Sequence, residues 1–348
     1  MKRSDAIIIG AGIIGLSLAL ELRKRGLSVV VLERGEPGRE ASWAAAGMLS
    51  GAHDPHTPVQ LHEMAEASAA MYPEFINAIE EASGKTAGFS RHGALVVSEV
   101  AVCGWDDRLV GADSIASLEP ALAETAGMVY RLEEDSVDPR ELMPALLAAC
   151  KNVGVEVHHE HEVGGITGSE VQIKAGIFSA SVIVNCAGAW AAQIHGVPVV
   201  PIEPAKGQML ALIPEHGRGI RHTIRNEEVY CVPRKDGRVA VGATVERVGF
   251  DKRVETETIQ QLHQLAANLV PSLGQARIAD AWAGLRPATP DGLPIIGAYD
   301  DVPGYFVATG HYRNGILLAP ATAKAVSDLI TNGTTSLDLS AFFPERFR

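Results

Sequence analysis

The sequence has few of the features that mark secreted, membrane-embedded or nucleic-acid-binding proteins. Its four cysteines, at positions 103, 150, 186 and 231, are scattered and form no CxxC pair, which favours a reduced, cytoplasmic protein over a disulfide framework. No apolar run approaches the roughly 18 residues of a membrane-spanning helix. Basic residues number 30 against 42 acidic ones, a net charge of −12, so neither nucleic acid nor an anionic membrane is an expected partner.

The N-terminus and the composition indicate a folded globular chain. Residues 1–20 start with a basic and then an apolar stretch, as a signal peptide does, but their glycines and the continuation into Glu21-Leu22-Arg23-Lys24 fit a strand, turn and helix better. Apolar residues make up 47% of the 348 residues, which is enough for a sizeable core. At about 100–200 residues per domain, this length predicts two domains or one fold with an inserted lobe.

The first 33 residues contain a complete βαβ pattern. A buried strand over residues 6–9 leads directly into GAGIIG at 10–15, and a helical stretch continues to about Arg25. A second buried strand, residues 29–32, ends in the acidic Glu33. The sequence therefore places a GxGxxG fingerprint in the strand-turn-helix context that a dinucleotide-binding site requires.

Each residue of the fingerprint has a physical task. Gly10 permits the tight turn, Gly12 lets the backbone approach a pyrophosphate, and Gly15 lets helix and strand pack closely. The pyrophosphate charge is expected at the helix N-terminus. Glu33 follows Gly15 by 18 residues, near the spacing of an acid that binds a ribose hydroxyl. A carboxylate at position 33 would repel the 2′-phosphate of NADP, so NADP is disfavoured despite the neighbouring Arg34. The alternative interpretation of the GxGxxG motif is a glycine turn with a purely structural role.

Two further segments bear on the choice between FAD and NAD. Residues 35–50 are rich in alanine and glycine and show no third Rossmann repeat, so they suit extended backbone beside a flat ring system. Residues 310–318 run into a predicted helix over 315–332, whose N-terminal dipole suits an electron-rich group such as the pyrimidine edge of a flavin. These features favour FAD over NAD. For residues 35–50, a plain loop that leads into a helix remains the alternative.

The longer sequence blocks resemble those of a known family. The chain is similar over its whole length to the glycine oxidases associated with thiamine synthesis, within the D-amino-acid oxidase family of FAD amine oxidases. The blocks that carry the resemblance are GAGIIG at 10–15, AAAGML at 44–49, EVYCVPRKDGRVAVGAT at 228–244, WAGLRPATPDGLPIIG at 282–297 and GHYRNGILLAPAT at 310–322.

The resemblance implies an α/β fold with two interleaved domains and bound, non-covalent FAD. A Rossmann-type FAD-binding domain would take residues 1–84, 132–200 and 282–348. A mixed-sheet α+β substrate domain would take residues 85–131 and 201–281. The resemblance also suggests a homotetramer, with a small amino acid and O2 as reactants.

Three residues match the family's substrate-binding positions. Arg286 matches the arginine that binds the substrate carboxylate, Arg313 matches a second arginine at the border of flavin and substrate, and Tyr230 matches a tyrosine that closes the site. An arginine suits this task because its planar fork binds a carboxylate through two hydrogen bonds and keeps its charge when buried. Surface salt bridges and a core aromatic are the alternatives that the residues alone leave open.

A larger set matches the family's cofactor contacts, and Trp43 departs from the family pattern. A small or hydroxylated residue is expected at position 43, so the tryptophan is expected to reshape the packing beside the flavin. His311 is expected either to tune the flavin or simply to pack. The residues expected to contact FAD are Gly10, Gly12, Ile13, Ile14, Gly15, Glu33, Arg34, Ala41, Ser42, Ala46, Gly47, Met48, Val163, His311, Tyr312, Arg313, Asn314, Gly315, Ile316 and Leu317.

The resemblance implies oxidation of glycine, and of sarcosine or small D-amino acids, by hydride transfer from the substrate Cα to flavin N5. The imine then hydrolyses to glyoxylate and ammonia, and O2 reoxidises the flavin to give H2O2. No side-chain base is expected, because the amine need only bind in its neutral form. A related dehydrogenase with another electron acceptor and a non-catalytic dinucleotide-binding subunit remain alternatives.

Local patterns give further expectations. A strand over 155–163 would place His159 and His161 on one face, but no third ligand follows at a spacing that suits a metal. Turns are expected at Lys206-Gly207 and Asp236-Gly237. Helices are expected at about 61–82, 139–152 and 254–270, the second with Asp138 as its N-cap and Pro139 at its first position.

Overall fold

The computed structural model describes residues 3–51, 57–122, 125, 127–215 and 219–348. Seven α-helices are found in these ranges: α1 (Ile13–Lys24), α2 (Ala41–Ala44), α3 (His62–Ser83), α4 (Ala112–Leu118), α5 (Pro139–Asn152), α6 (Thr256–Leu269) and α7 (Gly315–Asn332).

The same ranges contain eighteen strands. They are β1 (Arg3–Ile9), β2 (Val29–Leu32), β3 (Met48–Leu49), β4 (Phe89–Ser90), β5 (Ala94–Ser98), β6 (Met128–Leu132), β7 (Asp135–Val137), β8 (Glu156–His158), β9 (Val163–Thr167), β10 (Glu170–Ile173), β11 (Gly176–Asn185), β12 (Glu203–Ile213), β13 (Thr223–Arg225), β14 (Tyr230–Pro233), β15 (Val239–Gly242), β16 (Arg277–Ala288), β17 (Ile295–Ala298) and β18 (Tyr305–Thr309).

The first of three sheets has the order β17-β18-β11-β1-β2-β8, with the β9-β10 hairpin attached to β11. Its central strands β8, β2, β1, β11 and β18 run parallel, and β17 is an antiparallel edge. Alternate residues of β1 face opposite sides, as the two-residue period of a strand requires. Ala6 and Ile8 pack against helices α1, α3, α5 and α7, while Ile7 and Ile9 pack against the hairpin side. This is the predicted Rossmann-type α/β arrangement.

The second sheet has seven strands in the order β16-β12-β15-β14-β13-β5-β6. It is mixed, because β13 and β5 are parallel while the other pairs are antiparallel. One face packs against α6 through buried residues such as Leu210, Val241 and Leu262. The long β12-β16 pair extends this sheet toward the parallel one and carries the residues of the site described below.

A third, three-stranded sheet, β3-β7-β4, joins the two larger sheets. In it, Met48 of β3 pairs with Ser136 of β7, and Phe89 of β4 pairs with Val137. It fixes the segment after α2 relative to the start of α5. Asp138 caps α5 as predicted, since its carboxylate accepts a hydrogen bond from the Arg140 amide at 2.9 Å.

Two sequence expectations were wrong in detail. The predicted strand over 155–163 is broken, because β8 ends at His158 and Glu160 adopts a left-handed φ of 56°. The turn lets the His161 amide donate to the Glu33 carbonyl at 2.8 Å, so the chain bends around the end of β2. Lys206 and Gly207 form no turn, because they lie within β12 and pair with Leu285 and Gly284. The turn at Asp236-Gly237 is present.

The predicted division into two interleaved domains stays a prediction. One of its boundaries, between residues 281 and 282, falls inside the continuous strand β16. Among the described residues, no helix combines the length and apolar character that crossing a bilayer requires.

Candidate active site

A cavity of about 690 Å3 runs between the parallel sheet and the mixed sheet. One end is formed by the β1-α1 turn and the end of β2, and the other by strands β12, β14 and β16. Every residue that the sequence predicts for cofactor or substrate lines this cavity, with the single exception of Gly15. Fold topology therefore brings together segments separated by up to about 300 residues of sequence.

Gly15 has a packing role, as the fingerprint predicts, behind the wall of the cavity. A Cβ at this position would overlap the carbonyl oxygen of Gly10. Gly10 itself has a φ of 104°, and a Cβ there would come within 2.5 Å of the Cys186 carbonyl oxygen. Position 10 requires glycine because L side chains rarely adopt this φ, and position 15 requires it because a Cβ has no room, so the β1-α1 turn lies close against the end of β11.

The acidic end of β2 is buried and ordered by backbone amides. Glu33 is 7% exposed, and its carboxylate accepts hydrogen bonds from the amides of Ala11 at 2.8 Å and Gly35 at 2.9 Å. Next to it, the guanidinium of Arg34 lies 4.0 Å from the centroid of the Trp190 ring. The Ser42 hydroxyl accepts from the Ile13 amide at 2.9 Å, so it satisfies one donor in the first turn of α1.

Residues 41–48 form the cavity wall between the two ends, and side chains of the mixed sheet donate hydrogen bonds to their backbone. The Trp282 indole donates to the Ala44 carbonyl at 3.1 Å, and the Arg234 guanidinium donates to the Ala46 carbonyl at 2.6 Å. Gly47 has no room for a side chain, because a Cβ would overlap the Val137 carbonyl. These bonds from β16 and from the β14-β15 hairpin fix this segment as part of the cavity wall.

Trp43 does not line the cavity, although the sequence predicted that it reshapes the packing beside the flavin. Its ring lies outside the cavity wall and packs edge-on against Trp282, with 6.0 Å between ring centroids. The Arg140 guanidinium lies 3.9 Å from the Trp43 centroid and 4.1 Å from that of Trp282. Its Nη1 also donates to Asp280 at 2.9 Å. The tryptophan therefore joins α2, α5 and β16 behind the wall.

The C-terminal block lies where β18 leads into α7. His311 is buried, and its Nε2 lies 3.0 Å from the Thr322 hydroxyl. Burial lowers the pKa of His311 to about 3, so the ring is neutral at ordinary pH. The following residue, Tyr312, has a left-handed φ of 46°, and its amide donates to the Pro287 carbonyl at 3.0 Å. This bond ties the start of α7 to β16, the strand that carries Arg286.

Arg286, Arg313 and Tyr230 meet at the opposite end of the cavity from Glu33. The Arg286 guanidinium donates to the Thr244 carbonyl at 3.0 Å and fills the space that a side chain at Gly207 would occupy. Burial raises the pKa of the Tyr230 hydroxyl, and the nearby Arg286 and Arg313 guanidiniums partly oppose that rise. The phenol therefore stays protonated near neutral pH and lies beside two positive charges, as an anion-binding site requires.

Several wall residues were not anticipated from the sequence. Gly207 and Gly242 have little room for a side chain, since a Cβ would meet Arg286 at the first and Tyr230 at the second. The dipeptide Lys206-Gly207 suggested a turn, because the sequence around a glycine does not show which residues of a neighbouring strand lie beside it. Cys186 also lines the cavity, and burial raises the pKa of its thiol far above the ordinary value, which suppresses the reactive thiolate.

The histidines at 158–161 do not form a metal site in the part of the chain that the structure describes. The rings of His158 and His161 pack on Phe178, at 5.3 and 6.1 Å between centroids. No group of three metal-binding side chains is found in the described ranges.

The arrangement fits FAD. At the Glu33 end, a turn that only glycine permits at position 10, a helix N-terminus and a buried carboxylate form the cradle that an adenosine pyrophosphate needs. The cavity then continues along residues 41–48 and 310–317 to the paired arginines, and its volume is within the range of cofactor and ligand sites. A single cavity thus offers a place for a long dinucleotide and, beyond it, for a small anion.

Comparison with known proteins agrees with this geometry. The family model described as FAD dependent oxidoreductase (DAO) matches residues 5–329. The chain is 32% identical to the glycine oxidase of Geobacillus kaustophilus over 98% of this chain and 96% of that protein. The crystal structure of that oxidase superposes with a TM-score of 0.92 and covers 99% of this chain and 98% of the other.

The bifunctional protein ThiO/ThiG of Synechocystis is a longer relative. It is 36% identical over 99% of this chain, which spans only 54% of its length. The chain thus covers about half of this relative and nearly all of the glycine oxidase. The family match extends from β1 into α7 and includes both ends of the cavity. On this basis the chain belongs to the family of FAD dependent oxidoreductases.

Proposed function

We propose that the protein is an amino-acid oxidase whose principal substrate is glycine, with sarcosine and small D-amino acids as further substrates. With glycine, water and O2 are consumed and the products are glyoxylate, ammonia and H2O2. The observation that carries this proposal is the position of Arg286, held by Thr244 at the far end of the cavity from the dinucleotide cradle. Support comes from the 32% identity to a glycine oxidase over nearly the full length of both chains.

The chain's own residues would bind and orient the substrate. Arg286 presents a planar fork of donors to the carboxylate, with Arg313 adding a second positive charge. The Tyr230 hydroxyl, protonated because burial raises its pKa, can donate a hydrogen bond to the same carboxylate. The cradle and residues 41–48 and 310–317 would hold FAD non-covalently, and the flavin would supply an acceptor for the hydride of the substrate Cα.

No side chain is assigned as a general base. His311 is buried and neutral and bonds to Thr322, so it has a packing role at the start of α7. The substrate amine binds in its neutral form, and the protein contributes chiefly by holding the Cα–H in a reactive orientation. Catalysis would then depend on the geometry of Arg286 and Tyr230.

The absorption spectrum of the purified protein, recorded without oxygen before and after glycine is added, tests this proposal. We expect flavin bands that bleach with glycine. In Arg286→Ala, the KM for glycine should rise by about 100-fold or more, because a charged hydrogen-bonding partner of the carboxylate is lost. Arg277→Ala, at the exposed start of β16, is the matched control. A flavin that stays oxidised with every amine tested would contradict the assignment.

The electron acceptor requires its own measurement. One H2O2 formed for each glyoxylate supports an oxidase, whereas peroxide well below that ratio, with fast reduction of a quinone or dye, supports the related dehydrogenase.

We further propose that the protein supplies the glycine imine for thiamine thiazole synthesis. Support comes from its 36% identity to the bifunctional protein ThiO/ThiG of Synechocystis. A cytoplasmic location is supported by four free cysteines, three of them buried. A homotetramer, suggested by the family, is tested by light scattering of the FAD-loaded protein.

A further inference from the structure

A charged pair whose lysine is buried lies next to the Arg286 strand in the mixed sheet, where Lys206 pairs with Leu285 of β16. Lys206 is 1% exposed, and its ammonium lies 3.1 Å from the Glu246 carboxylate, whose side chain is 23% exposed. A lysine is almost never buried to this extent without a partner, because the charge loses its hydration. The pair is part of strand β12 and of the segment that follows β15, and the two residues also exchange backbone hydrogen bonds at 2.9 Å.

The Glu246 carboxylate organises the residues around it. It accepts hydrogen bonds from the Gln208 amide nitrogen at 2.9 Å and from the Thr244 hydroxyl. That hydroxyl in turn accepts from the Gln208 backbone amide at 2.9 Å. Gln208 is fully buried, and its side-chain oxygen Oε1 accepts a hydrogen bond from the Glu255 backbone amide at 2.7 Å, beside the start of α6. The group of Lys206, Gln208, Thr244 and Glu246 is called the Glu246 network below.

This network reaches the substrate end of the cavity through one backbone atom. The carbonyl oxygen of Thr244 accepts the 3.0 Å hydrogen bond from Arg286 Nη1. On the β12 side, Gly207 lies between Lys206 and Gln208 and leaves the space that the same guanidinium fills. The network therefore includes the residue whose carbonyl binds the Arg286 guanidinium and both sequence neighbours of the glycine that leaves room for it.

We propose that Thr244 is a positioning residue for the carboxylate-binding Arg286, and that the Lys206–Glu246 pair holds Thr244 in place. This inference rests on the proposed function, because it assigns Arg286 to the substrate carboxylate. It adds that affinity for the carboxylate depends on a hydroxyl and a charged pair that do not line the cavity. A small displacement of a binding group can reduce reactivity by up to about 100-fold, so loosening this support should be measurable.

The test compares Thr244→Val with Thr244→Ser in the FAD-loaded protein. Valine keeps the shape and the backbone carbonyl but removes the hydroxyl, whereas serine retains it. We expect Thr244→Val to raise the KM for glycine about tenfold with kcat within about twofold of the wild type, and Thr244→Ser to stay near the wild type. Thr258→Val is the matched control, since its hydroxyl also bonds a glutamate, Glu255, but on the surface of α6.

A binding measurement separates positioning from catalysis. Glycolate offers the substrate carboxylate without the amine, and its dissociation constant is read from the perturbation of the flavin spectrum or from tryptophan fluorescence. We expect the constant to rise about tenfold in Thr244→Val and in Glu246→Gln, with unchanged FAD content. If Thr244→Val does not fold, Glu246→Gln and the serine variant decide the question by the same measurement.

The outcomes distinguish this inference from the proposed function. A wild type that binds glycolate and oxidises glycine, with Thr244→Val and Glu246→Gln equal to it, overturns the positioning role alone. A wild type that does neither overturns the proposed function, and the positioning role with it. A tenfold weaker affinity in both variants, with the serine and Thr258 variants unchanged, supports the inference.

Discussion

The two ends of the cavity are built in different ways. The Glu33 end comes from one continuous stretch, residues 6–33, in which a strand, a glycine turn, a helix and a second strand follow one another. The Arg286 end is assembled from β12, the β14-β15 hairpin and β16, separate segments of the sequence that meet through sheet pairing, with Arg313 added from the segment before α7.

This difference affects how substitutions should act. At the Glu33 end, backbone conformation decides whether the cradle exists, because Gly10 and Gly15 leave no room for a side chain. At the Arg286 end, the side chains come chiefly from paired strands, and we expect the position of one guanidinium to decide affinity. We therefore expect failures of cofactor binding at the first end and graded changes of KM at the second.

The largest effect is expected from Gly10→Val. Its φ of 104° and the close Cys186 carbonyl oppose any side chain, so the β1-α1 turn cannot keep its shape. We expect the purified variant to contain no bound flavin by absorbance at flavin wavelengths. Gly26→Ala, also at positive φ but with nothing nearby, is the control and should keep its flavin with a stability loss of about 1 kcal/mol. Full flavin content in Gly10→Val would contradict the expectation that substitutions at the Glu33 end abolish cofactor binding.

Gly207→Ala should leave FAD bound and raise the KM for glycine. The new methyl group takes the space of the Arg286 guanidinium, which must shift by roughly an ångström, and such a shift can cost about 100-fold. Steady-state kinetics and flavin content of the same preparation check this expectation. Gly219→Ala, where no neighbour lies within 4 Å, is the control. Loss of flavin in Gly207→Ala would show that the two ends are not independent.

The pH dependence of stability tests the packing of His311 between the two ends. Burial lowers its folded-state pKa to about 3, so below about pH 6.5 the unfolded state takes up a proton that the folded state does not. Stability should therefore be fully present above about pH 6.5 and fall, as pH drops toward 3, by up to about 1.4 kcal/mol per pH unit.

Urea denaturation at a series of pH values, for the wild type and His311→Gln, measures this contribution. The variant should show a shallower loss between pH 6.5 and 4 because the buried His311 is removed. His92, whose pKa burial lowers to about 4, keeps its own share in both proteins. Identical slopes would show that His311 does not stay neutral in the folded protein.

The smallest effect is expected from Trp43→Phe. The smaller ring keeps its apolar contact with Trp282 but weakens the attraction of Arg140, at a cost of about 1 kcal/mol. Because Trp43 lies outside the cavity wall, the flavin spectrum and the KM should not change. Thermal denaturation measures the loss of stability. An altered flavin spectrum would indicate that Trp43 shapes the packing beside the flavin, as the sequence predicted.

Sequence patterns and tertiary structure each account for a definable part of this protein. The βαβ unit, the cap of α5 by Asp138 and the bounds of α7 follow from local causes: apolar periodicity, a side chain that satisfies the first amides, and glycine at positive φ. The cofactor cradle was readable for the same reason, since all its parts lie within residues 6–33. The substrate residues Arg286, Arg313 and Tyr230 were identified by family resemblance, not by local pattern.

Tertiary structure alone decided the orientation of side chains across the interface of the sheets. It turned Trp43 away from the cavity, placed Lys206 and Gly207 inside a strand, and set the Glu246 network behind Arg286. A residue's own neighbours in sequence determine its backbone preference, but the register between β12 and β16 determines which space a side chain can enter. That register depends on burial over whole strands, so no single segment contains it.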